Sequence, residues 1–275
     1  MPGTLYLVPT PIGNLGDISR RMAETMAEVD FIAAEDTRVT VKLLNHLDIK
    51  KPMVTYHRHN CDTAGQTILR RLLEGESCAL VTDAGTPAIS DPGEDLVALC
   101  AAEGVDVIAV PGPCALVTAL SISGLPTGRF TFEGFLPMNK KNRRAHLDSL
   151  RQEQRTMIFY EAPHKITDTL DDLLAVFGGE RRISLCRELT KLHEEVIRTT
   201  LAEAVEYHKV KEPRGEYVLV VEGAQPEVTE ADPDAALKRV EQLREQGMSL
   251  KDAAAQAAAE FGLKKKQLYD MAIGK

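Results

Sequence analysis

The chain has 275 residues, more than one minimal core requires and enough for two α/β domains with a small appendage. Apolar residues make up 44% and charged residues 27%, an ordinary globular balance that argues against a disordered chain or a membrane protein. The formal net charge of −8 argues against a surface coated in cations, so any contact with a polyanion has to be local.

The N-terminus Met1 to Val8 has neither the basic flank nor the small-residue cleavage site of a signal peptide. Apolar runs such as Val105 to Pro111 stop far short of the ~20 residues of a membrane span. A cytoplasmic location is expected. Cys61, Cys78, Cys100, Cys114 and Cys186 are scattered without a Cys-x-x-Cys pair, so they read as reduced, mostly buried small hydrophobes, and no metal is expected.

Short β-branched runs alternate with amphipathic stretches through the first third, the pattern of βαβ units and a mainly parallel sheet. Strands are predicted over Thr4 to Val8, Phe31 to Glu35, Met53 to Tyr56, Ala79 to Thr82 and Val105 to Val110. Apolar spacing predicts helices over Ile18 to Val29, Val39 to Leu47, Thr63 to Leu73, Glu94 to Glu103 and Ala115 to Ile122. The Gly- and Pro-punctuated stretch Ser123 to Arg129 marks a domain boundary. A second α/β block follows, with strands at Phe130 to Phe135, Met157 to Tyr160, Ile183 to Cys186, Val196 to Thr199 and Tyr217 to Val221, and helices at Asn142 to Glu153, Ile166 to Val176 and Leu201 to His208. The third and fourth of these strands are too close for a helical crossover, which predicts an antiparallel pair and a mixed sheet. Gln225 to Asp234 reads as a linker. Beyond it come helices at Ala235 to Gln246, from Ser249 (with Asp252 placed for a capping box), and at Leu263 to Ile273 after a break at Gly262, an arrangement resembling a helix-turn-helix. The expected domains are therefore 1–122, 130–224 and 235–275.

Ligands of open α/β sheets bind beyond the carboxyl ends of the strands. Three loops there combine Gly and Pro, which set backbone shape with little side-chain bulk: Pro9 to Asp17, Asp83 to Gly93 and Pro111 to Ala115. None contains a dinucleotide or P-loop phosphate motif, which disfavours a nicotinamide dehydrogenase or a kinase.

These loops, taken in order with Ala34-Glu35-Asp36-Thr37-Arg38, Gly134-Phe135-Leu136-Pro137, Phe159-Tyr160-Glu161-Ala162-Pro163-His164 and Arg187-Glu188-Leu189-Thr190-Lys191, resemble the tetrapyrrole-methylase superfamily, in particular its branch acting on ribosomal RNA. The resemblance spans residues 4 to about 223, and the helical tail is similar to one that many such enzymes append. It implies two α/β domains of that type, a homodimer, and S-adenosyl-L-methionine bound in a cleft between the domains. The activity implied is 2′-O-methylation of a cytidine ribose in small-subunit (16S) ribosomal RNA, with the RNA or the subunit as partner. By position, Ile12 and Gly13 fall in the first cofactor loop, Ala84, Gly85, Thr86 and Ile89 in the second, and Cys114 and Ala115 in the third, with Glu161, Ala162 and Leu189 closing the cleft. Members acting on tetrapyrroles usually have a more glycine-rich first loop than Val8 to Gly13, which favours the RNA branch over a small tetrapyrrole-like acceptor.

A ribose hydroxyl attacking an activated methyl gains most from positioning and further from a base. Asp36 or Glu35 is the candidate base, Arg38 a phosphate clamp and His57 a supporting proton carrier; a structural Asp36–Arg38 ion pair is the competing reading. His57, His59 and Cys61 alternate, but Asn60 and Asp62 indicate a loop rather than a shared strand face, against a metal site. His164 is a candidate to orient Glu161. For the RNA, the candidate contacts are Lys140, Lys141, Arg143 and Arg144, with Lys264, Lys265 and Lys266 as a second basic island; solvated helix faces are the competing reading. A non-catalytic RNA-binding protein is disfavoured by the intact trio of loops.

Overall fold

The computed structural model describes residues 1–225 and 233–274. They form two compact units, Met1–Gly223 and Ala224–Lys275. In the first unit, β1 (Thr4–Leu7), α1 (Arg20–Glu28), β2 (Phe31–Ala34), α2 (Thr37–His46), β3 (Met53–Thr55), α3 (Cys61–Leu73), β4 (Cys78–Val81), α4 (Glu94–Ala102), β5 (Asp106–Ala109) and α5 (Ala115–Ile122) alternate as the periodicity predicts. The five strands form one parallel sheet in the order β3-β2-β4-β1-β5.

The central strands of this sheet are covered on both faces, which explains near-continuous apolar runs such as Phe31-Ile32-Ala33-Ala34. Phe31 and Ala33 face α3 and α4, packing with Ile68, Leu72 and Leu96. Ile32 and Ala34 face α1 and α2, packing with Met22, Met26 and Leu44. The alternation follows from the period of two along a strand.

The second sheet is built from β6 (Phe130–Phe135), β7 (Thr156–Glu161), β8 (Arg182–Arg187), β9 (Glu195–Thr200) and β10 (Tyr217–Val221), in the order β6-β7-β10-β8-β9. β6 pairs with β7 in parallel and every other pair is antiparallel, including β8 with β9. One face carries α6 (Lys140–Ser149), α7 (Ile166–Phe177) and α8 (Leu201–Val210) over Phe159, Leu185 and Leu219. The other face presents Ile158, Cys186, Val218 and Val220 to Leu116, Ala119 and Leu120 of α5. The stretch from 123 to 129 does separate the strands of the two sheets, but α5 crosses to the second sheet for its packing.

Several element ends differ from the sequence reading because polar side chains decide them. Asn139 accepts from the N–H groups of Lys141 and Asn142 and starts α6 two residues earlier than Asn142. The helix stops at Ser149, and Glu153 instead binds the Arg155 guanidinium. Thr200 and Glu203 form a reciprocal capping box at α8. Ser249 caps its helix, but Asp252 is one methylene short of a glutamate and accepts the Ser249 hydroxyl rather than completing the box.

The second unit, described by itself, is α9 (Pro233–Glu245), α10 (Leu250–Glu260) and α11 (Lys265–Ala272) around a core of Val240, Leu243, Ala254, Ala257 and Leu268. Gly262 ends the second helix at φ +65, a conformation that favours glycine. The expected linker from Gln225 lies mostly outside the described residues, at 226–232.

Candidate active site

The sheet order explains why three loops distant in sequence meet. β1 lies between β4 and β5, so the loops that follow these strands are neighbours at one sheet edge. Thr10 and Gly85 exchange backbone hydrogen bonds of 2.9 and 3.0 Å, joining the first loop to the second. The Thr86 hydroxyl donates to the Pro113 carbonyl at 2.9 Å, joining the second to the third. Gly112 lies so close to Pro9 that a Cβ there would come within 2.9 Å of the proline ring, which joins the third to the first.

A cleft of about 590 Å³ opens between this edge and the second sheet. Its volume is within the range of cofactor pockets. Ile12, Ala84, Gly85, Thr86, Ile89, Cys114 and Ala115 form one wall, and Glu161, Ala162 and Leu189 lie on the other. The structure thus brings together all but one of the residues nominated for the cofactor. Gly13 is the exception and lines an adjoining groove. Its φ is +143, and a Cβ there would be 2.5 Å from Lys191 Cγ, so its bareness lets the lysine stem pass over the first loop. Lys191 itself is held by Glu188 and Glu216 at 2.8 and 2.9 Å.

Gly85 also has a positive φ, +91, and a Cβ on it would reach 3.4 Å from Ile12. This cradle of backbone and small side chains suits a ligand that needs close approach. The cleft lining also contains Glu35, Asp83, Asp91, Glu161 and Glu216, a carboxylate-rich set suited to a cationic ligand. Aromatic Phe135, Tyr160 and Tyr217 complete the lining. Tyr160 is fixed by the N–H of Leu116, which donates to its hydroxyl at 3.0 Å, and its ring meets Phe135 edge to face at 5.6 Å.

Glu161 is buried, and its carboxylate accepts from the Thr169 hydroxyl and from its neighbour's N–H at Ala162. His164 does not orient it. Thr169 in turn accepts from Arg143 at 2.8 Å, and Arg143 pairs with Asp172 at 2.5 Å. Arg143 departs from the sequence reading: its side chain is 11% exposed, with Nε on Asp172 and Nη2 on Thr169, so it is committed to α7 rather than held out toward an RNA backbone. Lys140, Lys141 and Arg144 are exposed on the first turns of α6, where Arg144 meets Asp148 at 3.0 Å.

Of the candidate catalytic residues, only Glu35 lines the cleft; Asp36, Arg38 and His57 do not. Asp36 caps α2, accepting from the Arg38 N–H at 2.8 Å, and its carboxylate pairs with the Arg38 guanidinium at 2.6 Å. The Arg38 side chain and then its backbone N–H hold the Asp36 carboxyl down to about 2, making it a weak base. The structure therefore contains the competing ion pair. His57 follows the end of β3, its backbone N–H tied to Asn60 Oδ1 at 2.8 Å and its Nδ1 buried without a hydrogen-bond partner among the described residues. Cys61 already begins α3, so His57, His59 and Cys61 share no strand face. Among the described residues no group of His, Cys, Asp and Glu is placed to hold a metal ion, and no helix is long and apolar enough to cross a membrane.

Asp91, Tyr160 and Lys191 are cleft residues that the sequence reading left without a role, although all three sit in stretches singled out there. Residues of these types are common along any chain, and only the facing wall of the cleft gives their chemistry a direction.

Residues 4–205 match the family of Tetrapyrrole (Corrin/Porphyrin) Methylases, and residues 230–275 match the RsmI C-terminal HTH domain. The chain is 48% identical over 273 residues to ribosomal RNA small subunit methyltransferase I of Halalkalibacterium halodurans, covering 98% of this chain and 94% of that protein. It is 46% identical over 273 residues to the protein of that name in Escherichia coli O157:H7, covering 98% and 95%. Among solved structures it resembles the methyltransferase CobJ, with a TM-score of 0.61 at 18% identity over 81% of this chain and 95% of that one. Uroporphyrin-III C-methyl transferase from Thermus thermophilus, complexed with S-adenyl homocysteine, gives a TM-score of 0.57 at 17% identity over 79% and 97%. At such identities these structures speak to fold alone.

Proposed function

The chain belongs to the tetrapyrrole methylase family, and from that premise we propose that it transfers a methyl group to the 2′-hydroxyl of a cytidine ribose in small-subunit (16S) ribosomal RNA. The observation that carries this reading is the nearly full-length likeness to ribosomal RNA small subunit methyltransferases in a chain whose three small-residue loops converge on one cleft. A small tetrapyrrole-like acceptor is the weaker alternative, since the family match alone supports it.

S-adenosylmethionine, when bound, supplies a methyl already activated by the sulfonium charge. The residues present fit such a ligand: the Gly85 backbone permits close approach, Ile12, Ile89 and Leu189 offer apolar contact, and the carboxylates of the lining favour its positive charges. Cys114, Ala115, Ala84, Thr86, Glu161 and Ala162 would hold it, with Gly13 acting through the lysine that crosses it. Excluding water and fixing the acceptor in line contribute most of the rate such a site needs. The purified protein should bind S-adenosylmethionine stoichiometrically by calorimetry without added metal, and mass spectrometry of ribosomal RNA should show one ribose methyl lost in cells lacking the protein. Absence of heat and of thermal stabilisation at saturating donor sinks the reading.

The RNA would track the exposed cations of α6. Each lost phosphate contact flattens the slope of log affinity against log salt by roughly 0.7 to 0.9, so changing Lys140, Lys141 and Arg144 to Ala should flatten it by about two units and leave donor binding untouched. Including Arg143 should add nothing to the slope, because that side chain faces inward. An unchanged slope would return α6 to a plain solvated face.

We further read the protein as a cytoplasmic homodimer with the three expected domains. β5 supports the dimer: it is an edge of a parallel sheet, yet Asp106, Ile108 and Ala109 are exposed, and Val117 on α5 is exposed too. Parallel sheets are normally covered on both faces, so a second copy is the natural cover.

A further inference from the structure

We propose that Asp91 is the general base of the methyl transfer, accepting the proton of the ribose hydroxyl; this rests on the methyltransferase reading above. Asp91 lies in the loop after β4 and lines the cleft with Glu35 and Thr82. Tyr160, from the second sheet, lines the facing wall of the same cleft. The acceptor oxygen must enter this space to meet a donor held by the loops.

The loop is shaped to hold that carboxylate still. Gly85, Ala88, Ser90 and Gly93 all have positive φ, at +91, +65, +70 and +146, and two of them are not glycine. A Cβ on Gly93 would be 2.9 Å from Leu80, and one on Gly134 of β6 would be 3.4 Å from Ser90 Oγ, so the loop is packed against the strands on either side of it. A base must keep hydrogen-bond reach of its proton, and these contacts seat the loop against both strands.

The groups facing Asp91 favour a proton acceptor near neutrality. Burial, and then the Glu35 carboxylate, push the Asp91 carboxyl up to about 6; Asp83 adds to the rise, while Thr82 and Arg58 oppose it. The Thr82 hydroxyl donates to Glu35 at 2.7 Å, and since an ionised carboxylate offers about four acceptor sites, Asp91 keeps capacity for a substrate hydroxyl even with Thr82 beside it. Asp36, by contrast, has its carboxylate occupied by Arg38.

The step balances within the site. As the ribose oxygen bonds to the methyl carbon, the carbon–sulfur bond breaks with its electron pair staying on sulfur, and the hydroxyl proton passes to Asp91. Release of that proton to water restores the carboxylate for the next turnover.

The test uses the full-length protein, tritium-labelled S-adenosylmethionine and small ribosomal subunits from cells lacking the enzyme, with single-turnover rates taken from pH 5 to 9. The wild-type rate should fall below about pH 6, and Asp91→Asn should lower it by 10²–10⁴-fold with the acid limb gone. Donor affinity of that variant should stay within a few fold by calorimetry, and Asp91→Glu should recover part of the rate with the limb retained. A second readout needs no turnover. Because the folded carboxyl sits above its unfolded value, the native state binds the extra proton, and wild-type stability falls as pH rises from about 4 through 6. Asp91→Asn should lack that fall and melt several degrees higher than wild type at pH 8. A wild type that transfers no methyl overturns the methyltransferase reading and this proposal together. An active wild type overturns the proposal alone if the Asn variant stays within about five-fold with its limb intact, or if it loses donor affinity in proportion to rate.

Discussion

Gly85→Val should weaken S-adenosylmethionine binding by at least about 100-fold, some 2.7 kcal/mol, while the protein stays folded. Two independent constraints meet at this glycine. Its φ of +91 is costly for any residue with a Cβ and most costly for a β-branched one. Its Cβ would also stand 3.4 Å from Ile12 Cγ2, so the two valine methyls must displace Ile12 or occupy the cleft. Either outcome breaks the cradle, because the Thr10–Gly85 hydrogen bonds hold the first and second loops in one register. Calorimetry with the donor, with circular dichroism as the check on folding, measures this. Binding within about five-fold of wild type would show that the donor does not approach the Gly85 backbone.

Arg143→Ala should destabilise the protein by about 1–2 kcal/mol, because truncation removes the donor of a half-exposed ion pair and of a hydrogen bond to the buried Thr169 hydroxyl. Asp172 loses its cation and Thr169 loses one hydrogen bond while still donating to Glu161. In a chain of this size the midpoint of thermal unfolding should fall by on the order of 2–8 °C. Since Thr169 holds Glu161 at the cleft wall, weaker donor binding should accompany the loss of stability. Thermal melts and donor titrations of Arg143→Ala and Asp172→Ala, singly and together, decide it: the double variant should cost less than the sum. An unchanged melting point with a flattened salt slope would instead restore Arg143 to the RNA-facing set.

The alternation of strands and helices was legible in the sequence because burial on both faces of a parallel sheet leaves a strong apolar signal, as in Phe31 to Ala34 and Cys78 to Val81. The three loops were legible for a local reason as well: Gly and Pro restrict backbone shape whatever surrounds them. Periodicity could not say that β1 lies between β4 and β5, which is what makes those loops neighbours. Helix ends followed single side chains, such as Asn139, whose amide competes for backbone N–H groups more strongly than apolar spacing indicates.

The charged residues show the limit most clearly. Lys140, Arg143 and Arg144 read alike in sequence, yet Arg143 turns inward to Asp172 and Thr169 of α7, and only the packing of two helices settles which side chain that is. Asp36 and Asp91 are likewise the same residue type, each in a stretch after a strand of the first sheet. Asp36 sits at a helix start beside Arg38, where its charge is stabilised, whereas Asp91 is drawn into a cleft beside Glu35, where its charge is opposed. The sequence by itself determined the strand and helix alternation and the bare loops, because those depend on local sterics and burial. Tertiary structure alone decided which carboxylates line the cleft and which charge is opposed there, because desolvation and Coulomb forces depend on distances between chain segments far apart in sequence.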